Sequence, residues 1–404
     1  MGYIDFEKTV AAANYDPLPI VLRHAKGCWV TDIEGRRYLD MMSAYSAVSV
    51  GHGHPRILNA MIEQASRIAV TSRAYYTEAL APFLAKLVDL AGLDIALPMN
   101  TGAEAVETAI KAARRWGYSV RKIAKDRANI IVAENNFHGR TTTIVGFSSD
   151  AAYREGFGPF GGGFRTVPFG DSAAVARAID QNTCAVLVEP IQGEAGIVVP
   201  REGYLADLRA LCDAHGILLI LDEVQSGLGR TGHWFAHQHE DIRPDGLILG
   251  KALGGGVYPV SALVGTRELM QVFDPGSHGS TFGGNALAAR IGLEALNVIE
   301  DEDLVRRSAE LGGYLIEGLR SLRSNFVTDV RGKGLWIGVE IDPDAVSARS
   351  ICEALAREGV LSKDTHGKVL RFAPPLVIDK QALDQGLNAV EEMLSELVSE
   401  PTRA

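Results

Sequence analysis

The sequence predicts an α/β fold: a large domain with a mostly parallel seven-stranded sheet between helices, plus a smaller α+β domain assembled from both termini. Three observations carry this expectation. Short apolar runs alternate with helical periodicity from about residue 97 to residue 265, and such alternation implies parallel strands covered on both faces. After Gly284 the pattern changes, and helices dominate with two short strands between them. A chain of 404 residues also exceeds one core, at roughly 100–200 residues per domain.

The elements follow in order. Residues 1–40 start irregularly and then read GCWVTDIEGRRYLDM, where Trp29-Val30 and Tyr38-Leu39 flank an acidic glycine turn. That spacing predicts a hairpin. Helical periodicity follows over 54–70, with Ile57, Met61, Ala65 and Ile68 on one face, and over 77–90, with Leu80, Leu84 and Leu87. The seven strands are expected at 130–133, 143–147, 165–168, 185–188, 218–221, 247–249 and 262–264. Helices are expected at 104–116 and 204–215, the second ended by Gly216. A helix over 285–300 leads into the terminal region, which carries strands around 335–341 and 369–372 and a closing amphipathic helix from Lys380. The domains are therefore expected as 41–290, and 1–40 with 291–404.

Composition narrows the function. A net charge of −10 leaves no basic stripe to neutralise phosphates, which argues against nucleic acid. Cys28, Cys184, Cys212 and Cys352 form no CxxC pair and read as buried free thiols in a reducing compartment. The N-terminal residues lack a cationic flank and an apolar core, and no apolar run reaches the ~20 residues of a membrane span. A cytoplasmic protein that binds no membrane is the expectation.

The chemistry gathers at two strand ends. The apolar run from Ile217 to Leu221 delivers Asp222, and the run from Gly246 to Leu249 delivers Lys251, with glycines 254–256 close behind. Ligands of open parallel sheets bind just outside the carboxyl ends of the strands. One carboxylate and one amine are thus aimed into one crevice. A carboxylate that pairs with a ring-nitrogen cation, beside a lysine that condenses with an aldehyde, is the minimal apparatus for pyridoxal 5'-phosphate. Alone, Asp222 would read as a turn cap and Lys251 as a solvated charge. Gln225 and the GRTG and GKALGGG flanks turn the balance toward chemistry.

Other motifs point to the same crevice. Thr101, Gly102 and Ala103 open a helix, where free amides make an anion site, although Thr101 also reads as an ordinary cap. Phe137 could stack on a ring and Arg140 could grip a carboxylate, against a core phenylalanine and a surface arginine. Glu194 sits between glycines 193 and 196 on a loop able to move, and Arg371 is its candidate partner. The GxGxxG at 156–161 follows no strand, so a dinucleotide site is not expected. His233, His237 and His239 read as a surface cluster, and no metal is expected.

The stretches LDEVQSGLGRTG, PDGLILGKALGGGVYPVSA and HGSTFGGN resemble the class III (ω-amino acid) aminotransferases of PLP fold type I, and the likeness runs over nearly the whole chain. It implies that Lys251 holds the cofactor aldehyde, Asp222 pairs with the pyridine nitrogen and Gln225 meets the phenolic oxygen. Thr101, Gly102 and Ala103 would hold the phosphate, with Phe137 and His138 against the ring. His138 stands where some members carry tryptophan. Ser280 and Thr281 resemble a phosphate contact given by a neighbouring subunit, which implies a homodimer with active sites at the interface.

Further stretches, NYDPLP at 14–19, SAYSAV at 43–48 and THGKVLRFAPPLVI near the end, refine what the resemblance implies. The δ-amino group of L-ornithine would pass to 2-oxoglutarate, so the partners are a small amino acid and a 2-oxo acid. Tyr15 and Arg140 would hold ornithine's α-amino and α-carboxylate groups, Tyr45 would shape the pocket, and Arg371 would bind the oxo-acid carboxylate. Glu194 would neutralise Arg371 when no carboxylate is there. An N-acetylated ornithine or another ω-amino donor is the alternative on this fold. Less favoured are a PLP decarboxylase and an aminomutase.

Overall fold

The computed structural model describes residues 2–322 and 324–399. Three sheets organise them. The first strands are β1 (Leu22–Lys26), β2 (Trp29–Asp32) and β3 (Arg37–Asp40). The expected hairpin is β2–β3, antiparallel with Trp29 opposite Leu39. The central strands are β4 (Ile95–Met99), β5 (Asn129–Ala133), β6 (Phe164–Val167), β7 (Thr183–Val188), β8 (Leu218–Asp222), β9 (Gly246–Leu249) and β10 (Ser261–Gly265). The last are β11 (Val327–Gly332), β12 (Ile337–Ile341), β13 (Val360–Leu361), β14 (Lys363–Thr365) and β15 (Val369–Phe372).

The central sheet has seven strands in the order β4-β10-β9-β8-β7-β5-β6. From β9 through β6 every pairing is parallel, and β10 runs antiparallel to both neighbours. The α/β class and the mostly parallel sheet of seven strands are therefore as expected. Strands β5, β7, β8 and β9 are buried along their whole length, which is why they read as unbroken apolar runs.

Two corrections concern membership of that sheet. The strand expected at 143–147 is a helix, Thr142–Gly146, because the Thr141 hydroxyl caps it by accepting from the Ile144 amide at 3.3 Å. A good cap outweighs the β-branched run behind it. The seventh strand is instead β4, which Pro98 disguises. Proline donates no ladder hydrogen bond and is tolerated only at an edge, and β4 pairs with β10 alone.

The topology gathers the chemistry at one rim. Asp222 ends β8, Lys251 lies two residues past β9, Glu189 directly follows β7, and Phe137 and His138 follow β5. In a second sheet β3 pairs in parallel with β13, so strands from both ends of the chain share one sheet. The third sheet, β11-β12-β15-β14, carries Arg371 on β15 opposite Gly338 of β12. A Cβ on Gly338 would stand 2.8 Å from the Gly196 carbonyl. Its absence lets the loop of Glu194 lie directly on this sheet.

Close approach also decides Gly312, in the helix Leu304–Ser321. A Cβ there would fall 2.1 Å from the backbone of Gly334. Gly312→Ala must push two backbones apart, and we expect a loss of about 3 kcal/mol or more in urea unfolding. A midpoint within error of the parent would contradict this packing.

The four cysteines are free and buried, as expected. The histidine cluster is not a surface feature. His237 is buried and its Nδ1 lies 2.8 Å from Glu223 Oε1, while only His233 is exposed. Glu223 needs the pairing because a lone buried carboxylate is costly. Among the described residues, no group of three or more potential metal ligands occurs, and no helix is long and apolar enough to cross a membrane.

Candidate active site

A cavity of about 190 Å³ opens at the rim where β5, β7, β8 and β9 end. Gly102, Ala103, Phe137, His138, Glu194, Asp222, Gln225 and Lys251 line it. Eight residues expected at the site thus share one space, although they come from positions 102 to 251.

Lys251 sits in a left-handed backbone conformation, φ 44°, just before the glycine-rich turn. Burial draws its amine down to about 8, and the nearby Arg371 cation adds to that pull against Glu194. Such an amine is a nucleophile near neutral pH. Asp222, 6% exposed, accepts from the Val224 amide at 3.0 Å through Oδ1 and from His138 Nδ1 at 2.6 Å through Oδ2. Burial works against a charged His138, but the hydrogen bond and charge of Asp222 win and raise its pKa. His138 Nε2 is buried without a partner among the described residues.

The helix Gly102–Ser119 supplies an anion cradle. Thr101 caps it in a reciprocal pair with Glu104, which leaves the first-turn amides of Gly102 and Ala103 without helical carbonyls. A Cβ on Gly102 would crowd Val224 at 3.1 Å, so glycine keeps that wall close. Arginine and acid form a second cluster across the cavity. Arg371, 1% exposed, pairs with Glu194 at 2.9 Å and donates to Gln225 Oε1 at 2.7 Å. Gln225 Nε2 in turn donates to Glu194 Oε1 at 3.1 Å. Burial raises the Glu194 pKa, yet the charges of Arg371 and Lys251 and the Arg371 hydrogen bond together outweigh it, and the net shift is downward.

Tyr45 leans over this cluster, its ring centre 5.4 Å from Arg371 Cζ and 6.0 Å from Lys251 Nζ. It belongs to a turn, Ser43 to Ser46, whose four residues all have positive φ: 43°, 46°, 58° and 73°. Left-handed backbone costs an L-residue about 1–2 kcal/mol, so the turn is held by its surroundings. Arg140 is exposed, and its Cζ lies 4.2 Å from the centre of the Tyr153 ring. Tyr15 is 76% exposed, close enough to Tyr45 to influence its hydroxyl. Ser280 bonds to Asn100 of its own chain at 2.8 Å, and Thr281 is exposed.

Two neighbours and one pairing were not expected from the sequence. Glu189 lines the cavity, accepts from the Phe137 amide at 3.0 Å, and is raised by burial to about 7. It directly follows a buried strand, the same signal that found Asp222. Tyr153 as the seat of Arg140 had no signal, nor had the pairing of His138 with Asp222 across 84 residues.

The set fits pyridoxal phosphate. The amine of Lys251 and the carboxylate of Asp222 face one cavity, two free helix amides await an anion, and the Phe137 ring walls one side. The profile of the family described as Aminotransferase class-III matches residues 10–394. The chain belongs to the class III aminotransferases. That class works with pyridoxal phosphate, in keeping with the residues at this rim.

Similar class III aminotransferases include one from Halalkalibacterium halodurans named ornithine aminotransferase, 54% identical over 96% of this chain and 97% of its own. One of the same name from Exiguobacterium is 54% identical over 97% of each. The solved ornithine aminotransferase of Toxoplasma gondii superimposes with a TM-score of 0.97 at 40% identity, covering 98% of this chain and 94% of that one. The acetylornithine aminotransferase of Elizabethkingia anophelis gives 0.89 at 45%, covering 98% of both. A class III aminotransferase of PLP fold type I is therefore the fold as well as the family.

Proposed function

We propose that this class III aminotransferase moves the δ-amino group of L-ornithine to 2-oxoglutarate, giving L-glutamate 5-semialdehyde and L-glutamate. One observation carries the reading: a buried arginine, Arg371, close enough for its charge to lower the Lys251 amine, is already neutralised by Glu194 2.9 Å away. A site that binds only carboxylates beside the reacting carbon has no use for that acid. A site that alternates between a bare CH₂ and a carboxylate does.

Pyridoxal phosphate, when bound, supplies an aldehyde for amine exchange and a ring that takes up electrons. The chain supplies the rest. Lys251, with its amine near 8, gives and takes a proton close to neutral pH. Asp222, fixed by His138, keeps a negative charge where a ring nitrogen must stay protonated. The amides of Gly102 and Ala103 hold a phosphate, with Thr101 capping behind them. Arg140, seated on Tyr153, grips ornithine's α-carboxylate, and Tyr15 meets its α-amino group.

While ornithine is bound, its CH₂ lies beside Arg371, and Glu194 spares that cation from standing buried and unpaired. When 2-oxoglutarate enters, its carboxylate takes the place of Glu194. Gln225 bridges both members of the pair. Its amide nitrogen carries two N–H donors, so one holds Glu194 while the other is left for a phenolic oxygen.

We read the working form as a homodimer with Ser280 and Thr281 reaching the neighbouring site. Exposed Tyr3, Phe6, Val10, Tyr76 and Phe282 support this, since a monomer rarely leaves so many large apolar groups in water. We also read 41–290 as the cofactor domain and 1–40 with 291–404 as the small one, supported by the pairing of β3 with β13.

The second reading, acetylornithine, draws on the 45% identity to the Elizabethkingia enzyme. Purified protein should be assayed side by side with ornithine, N-acetylornithine, 4-aminobutyrate and a 2,2-dialkylglycine. Acetylation removes the charge that Tyr15 would meet and adds bulk. Ornithine should therefore lead in kcat/KM by about tenfold or more. Equal or reversed preference would overturn the ornithine reading.

A further inference from the structure

Arg230, in the GRTG turn, is fully buried, and its four hydrogen bonds among the described residues all end on neutral oxygens. One arm, Nη1, donates to the Leu335 carbonyl at 2.9 Å and the Pro374 carbonyl at 2.7 Å. The other, Nη2, donates to Ser43 Oγ at 3.2 Å and Ser49 Oγ at 2.9 Å. Those hydroxyls are free to accept because each donates elsewhere, Ser43 to the Ala373 carbonyl at 2.6 Å and Ser49 to the Ser46 carbonyl at 2.8 Å. Burying a cation without a carboxylate is costly, so the site selects the shape of the group.

That shape is a rigid planar fork, which a lysine ammonium lacks. One prong meets the left-handed turn 43–46, and the other meets the chain three residues past Arg371. We infer that Arg230 is a positioning residue: it joins the turn presenting Tyr45 to the strand end presenting Arg371, and so sets the width of the substrate slot between them. Asp40 braces the start of the turn as well, accepting from the amides of Met42 and Ser43 at 2.8 Å each. Without the fork, four non-glycine residues at positive φ would relax toward ordinary backbone. The ring of Tyr45 would then leave its place 5.4 Å from Arg371.

The inference rests on the reading of Tyr45 as a wall of the substrate pocket, and its test separates the two. In the cofactor-loaded enzyme, Arg230→Lys should raise KM for ornithine and 2-oxoglutarate by about tenfold or more, with kcat within about threefold of the parent. Amide hydrogen exchange over residues 42–49 should speed up by about tenfold or more in the same variant. Adding Ala44→Gly, which removes the penalty for positive φ at that position, should restore much of the KM without restoring the melting temperature. Unchanged KM and unchanged exchange in folded Arg230→Lys would overturn the inference. So would a KM that follows stability alone, with no rescue by glycine. If Arg230→Lys does not fold, Ser49→Ala removes one acceptor, and unchanged exchange over 42–49 in that variant would also overturn it. If the parent does not use ornithine, the substrate reading fails, while hydrogen exchange still decides the role of Arg230.

Discussion

Lys251→Ala will abolish covalent capture of pyridoxal phosphate and reduce turnover by about 10⁴-fold or more, since it removes a nucleophile and an acid–base group together. The amine stands at the end of β9, faces Asp222 across the cavity, and is drawn by burial down to about 8. Reductive trapping followed by intact mass reads the capture directly. The parent should gain one cofactor per chain and the variant none. Covalent capture through another lysine would remove Lys251 from the role. The pH dependence has a definite sign. The neutral amine is the nucleophile, and its fraction grows as pH rises through about 8. Capture by the cofactor-free parent should therefore accelerate from pH ~7 to ~9 and then level off. A rate flat across that window would contradict the depressed amine.

Glu194→Ala will trade discrimination for reactivity toward glutamate. In the parent, the carboxylate of Glu194 and the amide of Gln225 occupy the guanidinium of Arg371. An α-carboxylate must displace Glu194 before it binds. Removing Glu194 leaves a buried cation open to any carboxylate, so the half-reaction with glutamate should quicken by about tenfold or more. Ornithine should lose ground in the same variant, both because its CH₂ now lies beside an unpaired cation and because its own α-carboxylate is drawn to the wrong end. Stopped-flow absorbance of each half-reaction separates these effects. Glutamate reactivity equal to that of the parent would reduce Glu194 to a loop acid.

The rim of the sheet was legible because parallel strands buried on both faces are continuous apolar runs, and their last residues announce themselves. Asp222 and Lys251 were found that way, and Glu189 carries the same signal. The helix start at Thr101 was legible as an ordinary cap, and the structure adds its reciprocal partner Glu104. What could not be read is what depends on packing. Nothing in Ser-Ala-Tyr-Ser foretells a left-handed turn, because positive φ is normally marked by glycine or asparagine, and here Asp40, three residues before Ser43, and the distant Arg230 hold it. The 143–147 run looked like a strand because local preference for β-branched residues is weaker than one well-placed cap. Pro98 hid β4 for the opposite reason, since an edge strand tolerates what a central strand cannot. Gln225 lines the cavity, and its amide also lies between Glu194 and Arg371, two partners at sequence distances of 31 and 146 residues that no local pattern links.

The central claim is that the amine leaving the donor is the δ-amine, held at Lys251 while Arg140 fixes the other end. Ornithine labelled with ¹⁵N only at the δ position, incubated with the holoenzyme and 2-oxoglutarate, tests it in one measurement. The label should appear in glutamate, with the donor carbon recovered as the semialdehyde and its α-nitrogen unlabelled. Label retained in the ornithine-derived product while glutamate forms would mean transfer from the α-amine, and the orientation argued for this pocket would be wrong.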